Sequence, residues 1–256
     1  MYFQREPLVV RLRRLAEAGR TGVLRVSGDD GGAIHLSEGA IVYAESRRTP
    51  GPGTLFARLA GPGPEPGDAD TAPGTGGTGS ARDLAWAYTV REATFDAALE
   101  LLSGRPRYGL QQRFRDSEPP TAHGLPGLSL AELLAEVERR RNLVRQMAES
   151  PVPLTADTPL VRVPDLAAPR MQVSALQWAL LIRIGGTATP RTLAWEIGHS
   201  VFATTLEVFR LVALGFLTVA RPAAEPAPRP DAAAARSDAV PGDGRPMVSF
   251  LRAVGR

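Results

Sequence analysis

The sequence predicts an α+β protein: a small antiparallel sheet with packed helices, then an all-α module and a disordered tail. Three observations lead to this fold class. Segments with period-2 hydrophobicity fill the stretch 22–46, where glycine turns separate them. Segments with helical periodicity lie on both sides of this stretch. Glycine and proline are concentrated in 61–80, and alanine, proline and arginine in 222–246, which predicts two disordered segments.

Composition narrows the class of protein. The 256 residues contain no cysteine, which excludes disulfides, thiolate nucleophiles and cysteine-based zinc sites and suits a reducing cytoplasm. The amino terminus has no signal-peptide pattern, and no apolar run approaches the ~18 residues of a transmembrane helix. We therefore expect a soluble, cytoplasmic protein that does not contact the membrane. The net charge of +3 is only a weak indication of nucleic-acid binding.

The first elements are a short helix and three strands. Leu8, Leu12 and Leu15 share one helical face, and the helix should end at Gly19. The strands that follow each place two apolar residues at alternating positions: Leu24 and Val26, Ile34 and Leu36, Ile41 and Tyr43.

A long helix and a strand should complete this region. Helical periodicity covers 82–103, and a strand is predicted from Tyr108 to Phe114. The helix residues predicted to be buried are Leu84, Tyr88, Phe95, Ala98, Leu99 and Leu102.

Capping signals mark the later helices. Ser129 with Glu132, and Ser174 with Gln177, have the spacing of capping boxes. The first should open a helix that reaches about Glu149 and has solvated arginines, among them Arg139, Arg140 and Arg145. Thr189-Pro190 predicts another helix start. Further elements are a helix over 203–214 and a strand over 216–219.

The first 115 residues resemble the PatA amino-terminal-like (PATAN) family. The likeness is in a leading helix followed by Gly19-Arg-Thr-Gly22, Leu24-Arg-Val26, Gly32-Ala-Ile-His-Leu36 and Glu38-Gly-Ala-Ile-Val-Tyr-Ala-Glu-Ser46. The resemblance implies a bacterial signalling protein without enzymatic activity. It also implies protein partners, among them Roadblock, small-GTPase or response-regulator systems. The arrangement is similar to an actinobacterial subgroup in which a winged-helix-like module follows the PATAN domain.

The carboxy-terminal module resembles the helix-turn-helix of bacterial regulators. The pattern is Leu193-Ala-x-x-Ile197-Gly198 followed by Ser200, Thr204, Val208, Leu211 and Gly215. In this frame the outward positions near the recognition-helix start should be Val201, Phe202, Thr205 and Leu206. These are mostly apolar, whereas a DNA-reading helix needs donors and cations, so a protein partner or self-association is favoured. DNA binding through Arg183, Arg191, Thr205 and Arg210 remains the alternative.

The predicted organisation has five parts. They are a PATAN-like domain over 1–115 with the loop 61–80, a connecting helix over 128–150, a winged-helix-like domain over 170–221, a disordered linker over 222–246 and a short docking helix over 247–256. Met247, Phe250, Leu251 and Val254 have helical anchor spacing in the last of these, and docking in cis and in trans are both open.

No reactive constellation is visible. His35, His123 and His199 lack the spacing of a metal site, and His35 is expected to be an exposed strand residue. Gly74-Thr-Gly-Gly-Thr-Gly79 lacks the lysine and the flanking strand of a phosphate loop. We therefore expect no cofactor and no enzymatic activity. The leading hypothesis is a protein–protein interaction adaptor, with a homodimer open, and the alternative is a DNA-binding transcriptional regulator.

Overall fold

The structure, a computed structural model, describes residues 7–28, 30–59, 81–103, 111–116, 127–165, 171–186 and 188–220. Within these residues the chain is α+β, as predicted. The helices are α1 (Leu8–Glu17), α2 (Pro52–Leu59), α3 (Ala81–Ser103), α4 (Leu130–Ala148), α5 (Ala175–Leu181), α6 (Pro190–Ile197) and α7 (Val201–Ala213). The strands are β1 (Gly22–Val26), β2 (Gly32–Ser37), β3 (Ala40–Ser46), β4 (Gln112–Asp116), β5 (Leu160–Arg162) and β6 (Leu217–Val219).

Several predicted segments lie outside the described residues. They are the loop 61–80 with its glycine run, residues 108–110 of the strand predicted from Tyr108, His123, the linker 222–246 and the docking segment 247–256 with Met247, Phe250, Leu251 and Val254. Among the described residues, no helix is both long and apolar enough to cross a bilayer.

The larger sheet is antiparallel, with the strand order β3-β2-β1-β4. The predicted meander is confirmed, but one detail of its pattern is wrong. A register shift between His35 and Leu36 pairs Leu36 with Ile41 and His35 with Tyr43. Ile41 therefore joins the core beside Leu36, whereas Tyr43 lies on the opposite face of the sheet beside His35.

One face of this sheet packs against helices. Leu24, Ile34 and Leu36 form a core with Leu12 of α1, Ala97 and Ala98 of α3, and Leu133 and Val137 of α4. The predicted buried set of α3 is partly wrong. Leu84 is 67% exposed and Tyr88 is 61% exposed, while Val90, Ala93 and Ala97 are buried instead. Small residues on this side of α3 allow the helix to lie close to the sheet, which helical periodicity by itself does not show.

The later helices begin where their caps predict. Ser129 accepts a hydrogen bond from the Glu132 amide and the Glu132 carboxylate accepts from the Ser129 amide, and Ser174 and Gln177 repeat this box. Thr189 caps α6, which ends at Gly198 with a φ of 62°. The helix α5 is short and ends at Leu181, with Ile182 as its C-cap.

A second core holds α5, α6 and α7 together with a two-stranded sheet. Leu180, Leu193, Val208 and Leu211 are its buried helical residues. The strand β6 pairs antiparallel with β5, which precedes these helices in the chain. The sequence pattern does not indicate this pairing, because a three-residue strand has too little periodicity to identify its partner.

Candidate functional site

The residues predicted to face outward at the start of α7 lie instead at a junction with α3 and α4. Val201 is 3% exposed, Phe202 8% and Thr205 2%, and Leu206 is half-buried. The prediction of an exposed apolar surface at Val201, Phe202 and Thr205 is therefore wrong. The reason is tertiary: side chains from α3 and α4 cover this end of α7.

Asp96 of α3 contacts both the amino terminus of α7 and Arg140 of α4. Its carboxylate accepts a hydrogen bond of 2.6 Å from the Val201 amide at the first turn of α7, and it also bonds to the Ser200 side chain. Burial raises the pKa of Asp96 to about 6, although Arg140, Ser200 and the Val201 amide act in the opposite direction. A carboxylate at a helix amino terminus also compensates unpaired amides and the helix dipole.

Arg140 of α4 completes this network. Its guanidinium nitrogens lie 2.9 Å from Asp96, 2.9 Å from Glu92 and 2.7 Å from Glu136. Burial by itself would lower the pKa of Arg140, but the three carboxylates outweigh it and raise the pKa. Hydrogen bonds from Arg139 and Arg140 lower the pKa of Glu136 to about 2.

The rings of Phe95 and Phe202 lie on the Arg140 guanidinium, with its central carbon 5.1 Å and 4.8 Å from their centroids. Arg140 is only 3% exposed, so the prediction that it is a solvated arginine is wrong.

A second ion cluster surrounds Arg191 of α6. The Arg191 guanidinium lies 2.6 Å from Asp157 and 2.9 Å from Glu100, and it donates to the Arg48 carbonyl at 2.9 Å. Arg48 also reaches Asp157 and Glu100, at 2.6 and 3.2 Å, and Asp30 at 2.8 Å. Because Arg191 has these partners and its side chain is 13% exposed, it is poorly placed to contact a DNA phosphate.

A cavity of about 260 Å³ lies beside these groups. Its apolar lining includes Leu99, Val144 and Phe202, and its polar lining includes Asp96 and Arg191. Since Asp96, Arg191 and the other charged residues of this lining already form ion pairs within the protein, the cavity has the character of an interface gap between packed elements and not of a built ligand site.

The other residues of the DNA-binding alternative are spread over separate places. Arg183 is exposed and donates to the Ala179 carbonyl, and Arg210 is exposed and pairs with Glu207 at 2.7 Å. The Thr205 hydroxyl donates to the Val201 carbonyl inside α7. The structure therefore does not bring Arg183, Arg191, Thr205 and Arg210 together on one accessible helix face.

An exposed apolar face is found on α5, which the sequence-based site prediction missed. Trp178 is 59% exposed and Ile182, the helix C-cap, is 52% exposed. Ala175 and Ala179 lie beside them at helical spacing. On its other side α5 contributes Leu176 and Leu180 to the second core. The signal in the sequence is that every residue of α5 except Gln177 is apolar, which on a surface helix leaves one apolar side uncovered. We call Ala175, Trp178, Ala179 and Ile182 the α5 face.

The two described histidines are buried or half-buried. His35 is 2% exposed, so the prediction of an exposed strand residue is wrong; its ring lies 5.4 Å from that of Tyr43. His199 is at the predicted turn, where its Nδ1 lies 3.0 Å from the Thr204 hydroxyl, and burial lowers its pKa. In the part of the chain that the structure describes, no three histidine, aspartate or glutamate residues are grouped to hold a metal ion.

Comparisons with known proteins identify no relative of this chain. The chain matches no family model, no curated protein and no solved structure.

Proposed function

We propose that this chain is a non-enzymatic bacterial signalling protein that acts as a protein–protein interaction adaptor. Its amino-terminal part would be a PATAN-type domain, and α5, α6, α7 and the β5–β6 sheet would form a winged-helix-like module. The single observation that carries the adaptor role is the exposed α5 face.

The chemistry of the α5 face suits a protein partner. Tryptophan is among the residue types that dominate binding energy at protein interfaces. The inner side of α5 is held in the second core by Leu176 and Leu180, so the outer side chains are presented by a helix that is already ordered. Binding a partner would therefore cost little conformational entropy on the α5 side of the interface.

The geometry gives the DNA-binding alternative less support. In a helix-turn-helix the start of the recognition helix enters the major groove, but the corresponding residues Val201, Phe202 and Thr205 are buried against the rest of the chain. Arg183 and Arg210 are exposed cations that could still meet phosphates. Binding of random duplex DNA that weakens steeply between about 50 and 200 mM salt would favour this alternative.

The adaptor role is tested by the double substitution Trp178→Ser/Ile182→Ser. The tagged full-length chain and this variant are used to purify partners from the cells that express the protein, with quantitative mass spectrometry as the readout. We expect at least one protein to be retained by the wild type and lost with the variant. Roadblock, GTPase and receiver proteins are the expected classes.

The matched control is Leu84→Ser/Tyr88→Ser on α3, because these side chains are also exposed and four residues apart. The control should keep the partner that the α5 variant loses. If the α5 variant retains every protein that the wild type retains, the proposal is wrong.

A further inference from the structure

The outer face of the four-stranded sheet, opposite α1, α3 and α4, carries a group of arginines. Leu24 and Phe114 pack in the core, so the alternating residues Arg25, Arg113 and Arg115 are directed to the other face. In the register of β1 and β4, Arg25 stands directly opposite Arg113. Directly opposed side chains on one face of a sheet are close neighbours, so Arg25 and Arg113 together make this part of the face basic.

These arginines line a groove of about 530 Å³, which Arg47 joins from the end of β3. Glu45 is the acidic residue in this lining, and Ser27 and Gln111 add hydrogen-bonding groups. Arg113 and Arg115 are exposed. Within the described ranges, no carboxylate forms an ion pair with either of them, unlike Arg140 and Arg191. Among the described residues, this lining has four arginines and one carboxylate.

We propose that this groove binds an extended, acidic segment of a partner protein. Guanidinium groups bind carboxylates through two parallel hydrogen bonds. Arg113 and Arg115 are two residues apart on one strand, about 7 Å, which matches the spacing of alternate side chains in an extended peptide. This inference gives the partner chemistry for the proposed adaptor role and rests on it, but it uses none of the α5 residues.

A peptide fits this surface better than a nucleic acid does. Duplex DNA is held by many phosphate contacts along a continuous basic surface. Here Glu45 interrupts the basic lining. Its carboxylate would repel a continuous line of phosphates, whereas an acidic segment of a few residues could be placed beside Arg113 and Arg115.

The test measures fluorescence anisotropy of a labelled peptide of about ten glutamates, titrated with the full chain at low salt. We expect saturable binding that weakens at least ~10-fold in Arg113→Glu/Arg115→Glu. The neutral variant Arg113→Gln/Arg115→Gln should show an intermediate loss. The neutral variant provides the comparison if charge reversal unfolds the sheet. Circular dichroism shows whether each variant is folded.

The matched control is Arg145→Glu/Arg162→Glu, an equal charge reversal at exposed arginines outside the groove. It should bind the glutamate peptide like the wild type. An equal loss in this control would show attraction to overall charge only and would overturn the proposal, as would absence of binding to the wild type.

A labelled random DNA duplex is titrated in parallel. If it binds more tightly than the peptide and depends on Arg113 and Arg115, the proposed partner class is wrong. Neither titration involves Trp178 or Ile182, so failure of the adaptor proposal and failure of this one would be separate results.

Discussion

Arg140 and Arg113 illustrate two opposite environments for the same side chain. Arg140 is buried, has three carboxylates around its guanidinium and lies between two phenyl rings. Arg113 is exposed and faces Arg25 across the strand pair. A buried guanidinium requires partners to offset its desolvation, whereas water solvates an exposed one and leaves it available for a ligand. The comparison separates buried arginines that stabilise the fold from exposed arginines that are available to bind a ligand.

The largest expected effect comes from Arg140→Ala. It would leave Asp96 buried without its cation and remove the packing between Phe95 and Phe202. Breaking a buried ion pair in this way typically lowers the free energy of unfolding by about 3–5 kcal/mol. Urea denaturation measures it. The neighbouring Arg139→Ala, whose side chain is 57% exposed, should cost less than about 1 kcal/mol. Equal losses of stability from the two substitutions would show that burial of Arg140 does not make it more important to the fold than the exposed Arg139.

A pH-dependent effect is expected from Asp96→Asn. The folded-state pKa of Asp96 is about 6, above its ordinary value of 3.8, so the folded protein binds more protons between these values. The contribution of Asp96 to stability is therefore present below pH 3.8 and is lost as the pH rises through 6. The stability of the wild type relative to the variant should fall over this window and then level off.

The asparagine variant is a close comparison because its side-chain oxygen can still accept a hydrogen bond from the Val201 amide. Arg140 also keeps its ion pair with Glu136 in this variant. Urea denaturation of both proteins at several pH values measures the difference. A stability difference that rises between pH 4 and 6 would contradict the assigned direction.

The smallest expected effect comes from Arg113→Gln. Removing one of two directly opposed like charges should raise the free energy of unfolding by about 0.2–1 kcal/mol at low salt. The gain should shrink as salt is added. A loss of more than about 1 kcal/mol would show that Arg113 stabilises the sheet and belongs with Arg140 after all.

Local signals predicted much of the fold. The Ser129 and Ser174 capping boxes and the helix start at Thr189-Pro190 are in the predicted places, because a cap depends on residues within one turn. The site was predicted less well. Arg140 looked like any other residue in an arginine run. The sequence around it does not show that Asp96 and Glu92, which lie 44 and 48 residues earlier on α3, contact its guanidinium.

By itself the sequence determined the α+β class, the strand meander and the starts of the later helices, since each depends on neighbours in the chain. Only the tertiary structure decided which helix faces are covered. It buried Val201 and Phe202 at the junction with Asp96 and Arg140, and it left Trp178 exposed on a helix apolar on both sides. Periodicity identifies an apolar face, but what covers that face depends on contacts between residues far apart in sequence.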